Sequence, residues 1–157
     1  MQRHPSLIPI SHEHHRALAQ ALFLRRAAEA DAEAREAAVL EYLAFVGAEL
    51  VPHMGREEAN VFPLVLGDDE GREVVARLVA EHERLIELSH RLALEQETAA
   101  TRPETLREIG ELLNEHVRLE ERVLLPLAER LMSDEDLEAI GHSFCEGYCD
   151  CARGRSA

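Results

Sequence analysis

HMGREEANVFPL, residues 53–64, returns as HVRLEERVLLPL, residues 116–127. Both copies read His, three residues, Glu-Glu, three residues, a bulky apolar residue, Pro, Leu. His53 pairs with His116, Glu57 with Glu120, Glu58 with Glu121, Phe62 with Leu125, Pro63 with Pro126 and Leu64 with Leu127, at a constant offset of 63 residues. On a helix, positions i and i+4 lie on one face about 6 Å apart. Each copy therefore presents an imidazole beside a carboxylate. Two such pairs facing each other make a metal site.

The flanking pattern is helical. Ser11 is placed to cap a first helix that runs to about Ala30, after an extended lead-in over residues 1–9 with Pro5 and Pro9. A second helix is expected from about Ala32 to Leu66, with the stripe Val39, Tyr42, Val46, Leu50, His53, Glu57, Val61, Leu64. Pro52, inside it, predicts a local bend directly before His53. A third helix over Asp69–Glu97 carries Val75, Leu78, His82, Leu85, Ser89 and Leu92 on one face. After a loop near 98–103, a fourth runs from Pro103 to about Leu131 with Leu106, Ile109, Leu113, His116, Glu120, Leu124, Leu127 and Leu131. Ser133 and the acidic residues behind it start a short fifth helix, to about Cys145–Tyr148. The expected fold is all-α: an antiparallel up-down four-helix bundle over residues 10–131, then a short helix and a Cys-containing tail over 132–157.

The chain has 157 residues, 46% of them hydrophobic and 31% charged, which suits one soluble globular domain. A net charge of -14 argues against nucleic acid or an anionic membrane as partner. The opening MQRHPSLIPI lacks a secretory apolar stretch, and no apolar run approaches a membrane span, so a cytoplasmic location is expected. Cys145, Cys149 and Cys151 all sit near the end and make no disulfide framework.

The candidate ligand set is His15, His53, Glu57, His82, His116 and Glu120. His15-x-x-Leu18 in the first helix matches His82-x-x-Leu85 in the third; His14, four residues before Leu18, is the alternative. Two carboxylates among apolar residues cost several kcal/mol per ion unless a cation or hydrogen bonds compensate. The plain structural alternative is a set of His–Glu pairs bridging the helices. Imidazole and carboxylate without thiolate suit iron, manganese or zinc. Six ligands exceed one tetrahedral zinc and suit two metals that share Glu57 and Glu120. His15 and His53 then serve one metal, and His82 and His116 the other. Iron is the first choice, because open positions on it serve redox chemistry with dioxygen, nitric oxide or peroxide.

EHHRAL at 13–18, HMGREEANVFPL, EHERL at 81–85 and HVRLEERVLLPL together resemble the hemerythrin-like, or HHE cation-binding, domain over about residues 8–131. The resemblance implies a four-helix bundle around a carboxylate-bridged non-haem di-iron centre. It carries the metal roles onto the six residues above. Oxygen-carrying members place a His four residues before the third-helix ligand, where this chain has Leu78. Their fourth-helix carboxylate stands five residues after the His, at Glu121 here, whereas this chain has Glu120 at four. His-x-x-x-Glu is similar instead to bacterial members associated with iron-centre repair, nitric oxide handling and sensing. The expected function is small-ligand binding or reduction, with an electron donor as a partner in the second case. A reservoir or metal-responsive sensor without catalysis is the alternative, and a metal-free interaction domain a third.

Other groups have weaker claims. His12 could stand behind His15 or at an entrance. Glu58 and Glu121 are expected to be exposed, or to hold a ligand His through its second nitrogen. Tyr42 is expected to pack in the core. His4, His90 and His142 read as surface residues, and the three cysteines as reduced thiols.

Overall fold

The computed structural model describes residues 3–145. Cys149 and Cys151 lie outside the described residues. The elements are a 3-10 turn Pro5–Leu7, then α1 Ile8–Ala28, α2 Ala32–Phe45, a π turn Val46–Leu50, α3 Val51–Asn60 and α4 Phe62–Val65. Next come α5 Asp69–Glu97, α6 Pro103–Leu119, a second π turn Glu120–Leu124, α7 Leu125–Leu131 and α8 Asp134–Cys145. Among the described residues there is no strand.

Local chemistry sets the boundaries. The Asp31 carboxylate accepts the Ala34 N–H, and the Asp68 carboxylate accepts that of Gly71, so each aspartate caps a helix. Ser133 and Asp136 bond reciprocally at the start of α8. The start of α1 departs from expectation. It begins at Ile8, with Pro9 in its first turn, and the lead-in is a turn rather than extended chain. Ser11 is therefore inside the helix, where its hydroxyl donates to Glu121 at 2.8 Å.

The bend expected at Pro52 takes the form of a wide turn. The N–H of Val51 reaches back five residues to the Val46 carbonyl, and that of Leu125 to Glu120, each directly before a proline. Proline lacks an N–H and its ring crowds the carbonyl four residues back. Widening the preceding turn relieves the crowding without ending the helix. Pro63, the repeat partner of Pro126, is handled differently: α3 stops at Asn60 and α4 restarts at Phe62.

The helices pack through two apolar clusters. The first gathers Ala17, Ala21, Leu24, Tyr42, Leu50, Leu85, Leu92, Leu106 and Leu113 with their neighbours. The second gathers Leu7, Ile10, Phe62, Leu78, Leu124, Leu127, Ile140 and others. Every long helical run places a buried His or Glu between the two. α1 lies along α6 so closely that a Cβ on Gly110 would stand 2.7 Å from the Ala21 carbonyl oxygen. α5 packs on α6 and α2, and α8 docks on the Pro5–Leu7 turn, α1 and α3. Leu64 and Leu131, the last members of their expected stripes, are exposed. By length and composition alone the run Ala32–Val65 could cross a membrane; its His53 and Glu57 are buried in the bundle.

Candidate metal centre

Six polar side chains form the layer between the clusters: His14, His53, Glu57, His82, His116 and Glu120, none more than 6% exposed. Heptad-like spacing on α3, α5 and α6 turns His53, Glu57, His82 and His116 inward with their apolar neighbours. Glu120 opens the second π turn.

The first-helix expectation is corrected. His15 is exposed, and its Nδ1–H donates to the Ser11 carbonyl of its own helix at 2.8 Å. His14 occupies the layer instead. The face of α1 that meets the bundle is Ile10, His14, Ala17, Ala21, Leu24 and Ala28, while Leu22 is exposed. Alanines on this face let α1 approach α6 closely at Gly110. Reading the face from His15 and Leu18 turns it by about one residue, or 100°. The other five expected residues are brought together.

Their geometry forms two overlapping groups. His14, His53, Glu57 and Glu120 bring one ligand atom each within 4.8 Å of one another, and so do Glu57, His82, His116 and Glu120. The carboxylates divide their oxygens between the groups. Glu57 Oε1 is 3.2 Å from His53 Nε2 and 3.7 Å from His14 Nε2, whereas its Oε2 is 3.5 Å from His82 Nε2. Glu120 Oε2 is 3.2 Å from His14 Nε2, and its Oε1 is 3.2 Å from His116 Nε2.

The inward atoms fit a cation. Nε2 of His14, His82 and His116 and all four oxygens of Glu57 and Glu120 are buried without a hydrogen-bond partner. Lone pairs from imidazole and carboxylate therefore converge on a volume to which no protein group donates. Such a set is costly by itself, and a bound cation compensates it. In the metal-free protein, protons stand in. Burial opposes charging of His53 and His116, but the neighbouring carboxylates, Glu57 and Glu120 foremost, outweigh it and push them up to about 9 and about 10. His14 is likewise raised against burial by Glu120, Glu121 and Glu57. Glu57 and Glu120, which burial alone would raise, are held low by the imidazoles.

The outward nitrogens are all engaged. Nδ1–H donates to Glu121 from His14, to Glu13 from His53 and to Glu58 from His82, each at 2.7 Å, and to Glu81 from His116 at 2.9 Å. A proton fixed on Nδ1 leaves the Nε2 lone pair for the centre, the tautomer a metal ligand needs. Three of these carboxylates carry an arginine: Arg3 on Glu121, Arg56 on Glu13 and Arg77 on Glu81. Glu121 is held down to about 2, since bonds from His14 and Ser11 overcome its burial.

Glu58 and Glu121 thus take the supporting role expected of them. Glu13 and Glu81 do so as well, and the stripe pattern does not single them out. The dipeptide Glu-His at 13–14 and 81–82 marks them only weakly, since it recurs at 115–116, where Glu115 is exposed. Pairing those dipeptides, rather than His15 with His82 through the leucines, selects His14. His12 is exposed, and Leu78 is buried among apolar residues where oxygen carriers have a further His. Tyr42 packs in the first apolar cluster with its hydroxyl 3.1 Å from Ser89 Oγ, away from the layer. Two rings cover imidazoles of the layer: Phe62 stacks on His82 at 5.6 Å between centroids, and Phe144 meets His53 edge-on at 5.5 Å. A pocket of about 220 Å³ opens onto His14 and Glu121, with Arg118 and Arg122 on its rim.

A helical domain crossed by buried imidazoles and carboxylates, each imidazole held from behind, is the architecture of a cation-binding protein. The chain belongs to the hemerythrin family: the model for the hemerythrin HHE cation binding domain matches residues 6–128. No curated protein and no solved structure matched the chain.

Proposed function

We propose that the domain holds two iron ions, one between His14 and His53 and the other between His82 and His116, with Glu57 and Glu120 shared, and that it binds or reduces a small ligand such as dioxygen, nitric oxide or peroxide. The observation that carries this is the divided carboxylate. Each of Glu57 and Glu120 turns one oxygen to each group, which is what a bridging ligand does. The polar layer also supports an antiparallel up-down four-helix arrangement. From N- to C-terminus, α1 and α5 pass from the second apolar cluster to the first, and the runs Ala32–Val65 and 103–131 pass the other way.

Iron held by these residues would supply a redox couple. The protein's own residues supply the rest. Two His and two shared Glu leave each position short of six donors, so a small ligand has room. The Nδ1–Glu bonds hold the rings in register, and the apolar clusters on both sides keep bulk water out. The pocket lined by His14 and Glu121 lies beside the His14–His53 half of the centre. Imidazole and carboxylate without thiolate suit iron, manganese and zinc alike, and iron is preferred for the redox couple it would bring to the open positions. An electron donor completes the scheme if the ligand is reduced.

Elemental analysis of protein from iron-replete cells, with absorption spectra before and after dithionite and nitric oxide, tests the reading. Near-stoichiometric iron with a spectrum that responds to both reagents supports it; protein without metal, and without an air-induced band on adding ferrous iron, overturns it. A metal-responsive sensor is the competing reading. Arg3, in the lead-in, donates to Glu121 at 2.6 Å, so that segment touches a support of the centre. Negligible turnover, together with changed exposure of Arg3 and its neighbours on metal loading, favours the sensor.

A further inference from the structure

Helix α8 lies beyond the family match, which ends at residue 128, yet it reaches the metal layer. Its buried face is Leu137, Ile140, Gly141 and Phe144. Phe144, 1% exposed, sets its ring edge-on against ligand His53. The Arg56 guanidinium carbon lies 4.9 Å over the same ring. Arg56 also donates to Glu13 at 2.7 Å, and Glu13 accepts the Nδ1–H of His53 at the same distance. One aromatic ring therefore touches the ligand directly and the cation that steadies the ligand's carboxylate. Docking is tight at Gly141, where a Cβ would stand 2.7 Å from the Ser6 carbonyl oxygen.

The His82 side is built otherwise. Its covering ring, Phe62, belongs to α4 inside the matched domain. Its supporting carboxylate, Glu58, is 49% exposed and has no arginine partner among the described residues. The two halves of the repeat thus offer equivalent ligands in unequal surroundings. One half is closed by an appended helix.

We propose that Phe144 is a positioning residue through which α8 closes the His14–His53 half of the centre, so that the two metal positions exchange their ions independently and α8 governs only one. The physical basis is cover and order. An aromatic edge over His53 excludes water from that ligand, and the stacked guanidinium keeps Glu13 on Nδ1. Without the ring, water reaches His53 and Glu13 loses one restraint. Metal at that position then leaves faster.

This inference rests on the two-metal reading, and one experiment separates their failures. The full chain is loaded with ferrous iron without air, and release to an excess of a colorimetric chelator is followed in time. In Phe144→Ala, one of two equivalents is expected to leave about tenfold faster than in the native chain, as typical for losing a support behind a ligand, with the other unchanged. Phe144→Leu, which keeps apolar cover, is expected to stay near the native rate. Gly141→Val offers an independent route, since its side chain meets the Ser6 backbone and lifts α8 without touching the layer. It is expected to reproduce the Phe144→Ala phase. Circular dichroism of the metal-free variants checks that the bundle persists.

If both equivalents accelerate together, or neither does in Phe144→Ala and Gly141→Val, the proposal is overturned while the two-metal reading stands. If the native chain takes up no iron, both fall. If Phe144→Ala does not fold, Gly141→Val decides alone, and an unchanged release profile there overturns the proposal.

Discussion

Glu121 Oε1 accepts the Nδ1–H of His14 at 2.7 Å, while Glu120 Oε2 lies 3.2 Å from Nε2 of the same ring. Two consecutive carboxylates thus grip one imidazole from its two sides. The arrangement recurs at His82, where Glu57 faces the inner nitrogen and Glu58 the outer, whereas His53 and His116 are held from behind by Glu13 and Glu81. Doubling each Glu gives one donor for the centre and one support behind it.

His14→Ala is expected to lose metal from its position, whereas His15→Ala keeps the native metal content. His15 is exposed and bonded to its own helix, so its loss touches nothing in the layer. Elemental analysis of both variants decides between the two adjacent histidines.

Glu57→Ala and Glu120→Ala are expected to empty both positions, because each carboxylate belongs to both groups. Loss of one equivalent and retention of the other would show that the carboxylates do not bridge. Metal titration followed by calorimetry gives the stoichiometry.

Glu121→Gln and Glu81→Gln keep an oxygen to accept Nδ1–H but remove the charge. Metal affinity is expected to fall roughly 10- to 100-fold in each, the usual range for such supports. Competition with a chelator of known affinity measures it, and native affinity in both would show that the carboxylates only fill space.

Gly110→Ala is expected to destabilise the fold by about 1–3 kcal/mol, since the added Cβ meets the Ala21 carbonyl oxygen of the backbone as closely as it meets the more movable Arg25 side chain. Chemical denaturation of the metal-free protein reads this directly. The clash lies in the first apolar cluster region of α1 and α6, so metal stoichiometry is expected to survive.

Glu95 provides the pH test. Burial would raise its carboxyl, but the Arg102 backbone N–H, the Arg102 guanidinium and the Thr105 hydroxyl together hold it below the ordinary 4.5. A carboxyl lowered by folding stabilises the native state above its unfolded value and loses that effect as pH falls through the lowered one. The gap in denaturation midpoint between the native chain and Glu95→Gln is therefore expected to be widest near neutral pH and to close in acid. A gap independent of pH would mean that shape, not charge, holds the loop after α5.

The sequence alone determined the helices, their order and five of the six inward residues. Stripes such as Leu106, Ile109, Leu113, His116 and Glu120 repeat with the helix period, and a duplicated motif marks its own inward His and Glu. Only the tertiary structure decided which of His14 and His15 faces inward. α1 buries alanines, whose weak apolar signal sets no face, and the close approach of α6 at Gly110 chooses the angle. Only the packing, likewise, set Glu13 and Glu81 behind His53 and His116, and Phe144 over His53. Those contacts join residues on different helices, and one-dimensional periodicity carries no record of which helix a side chain will meet.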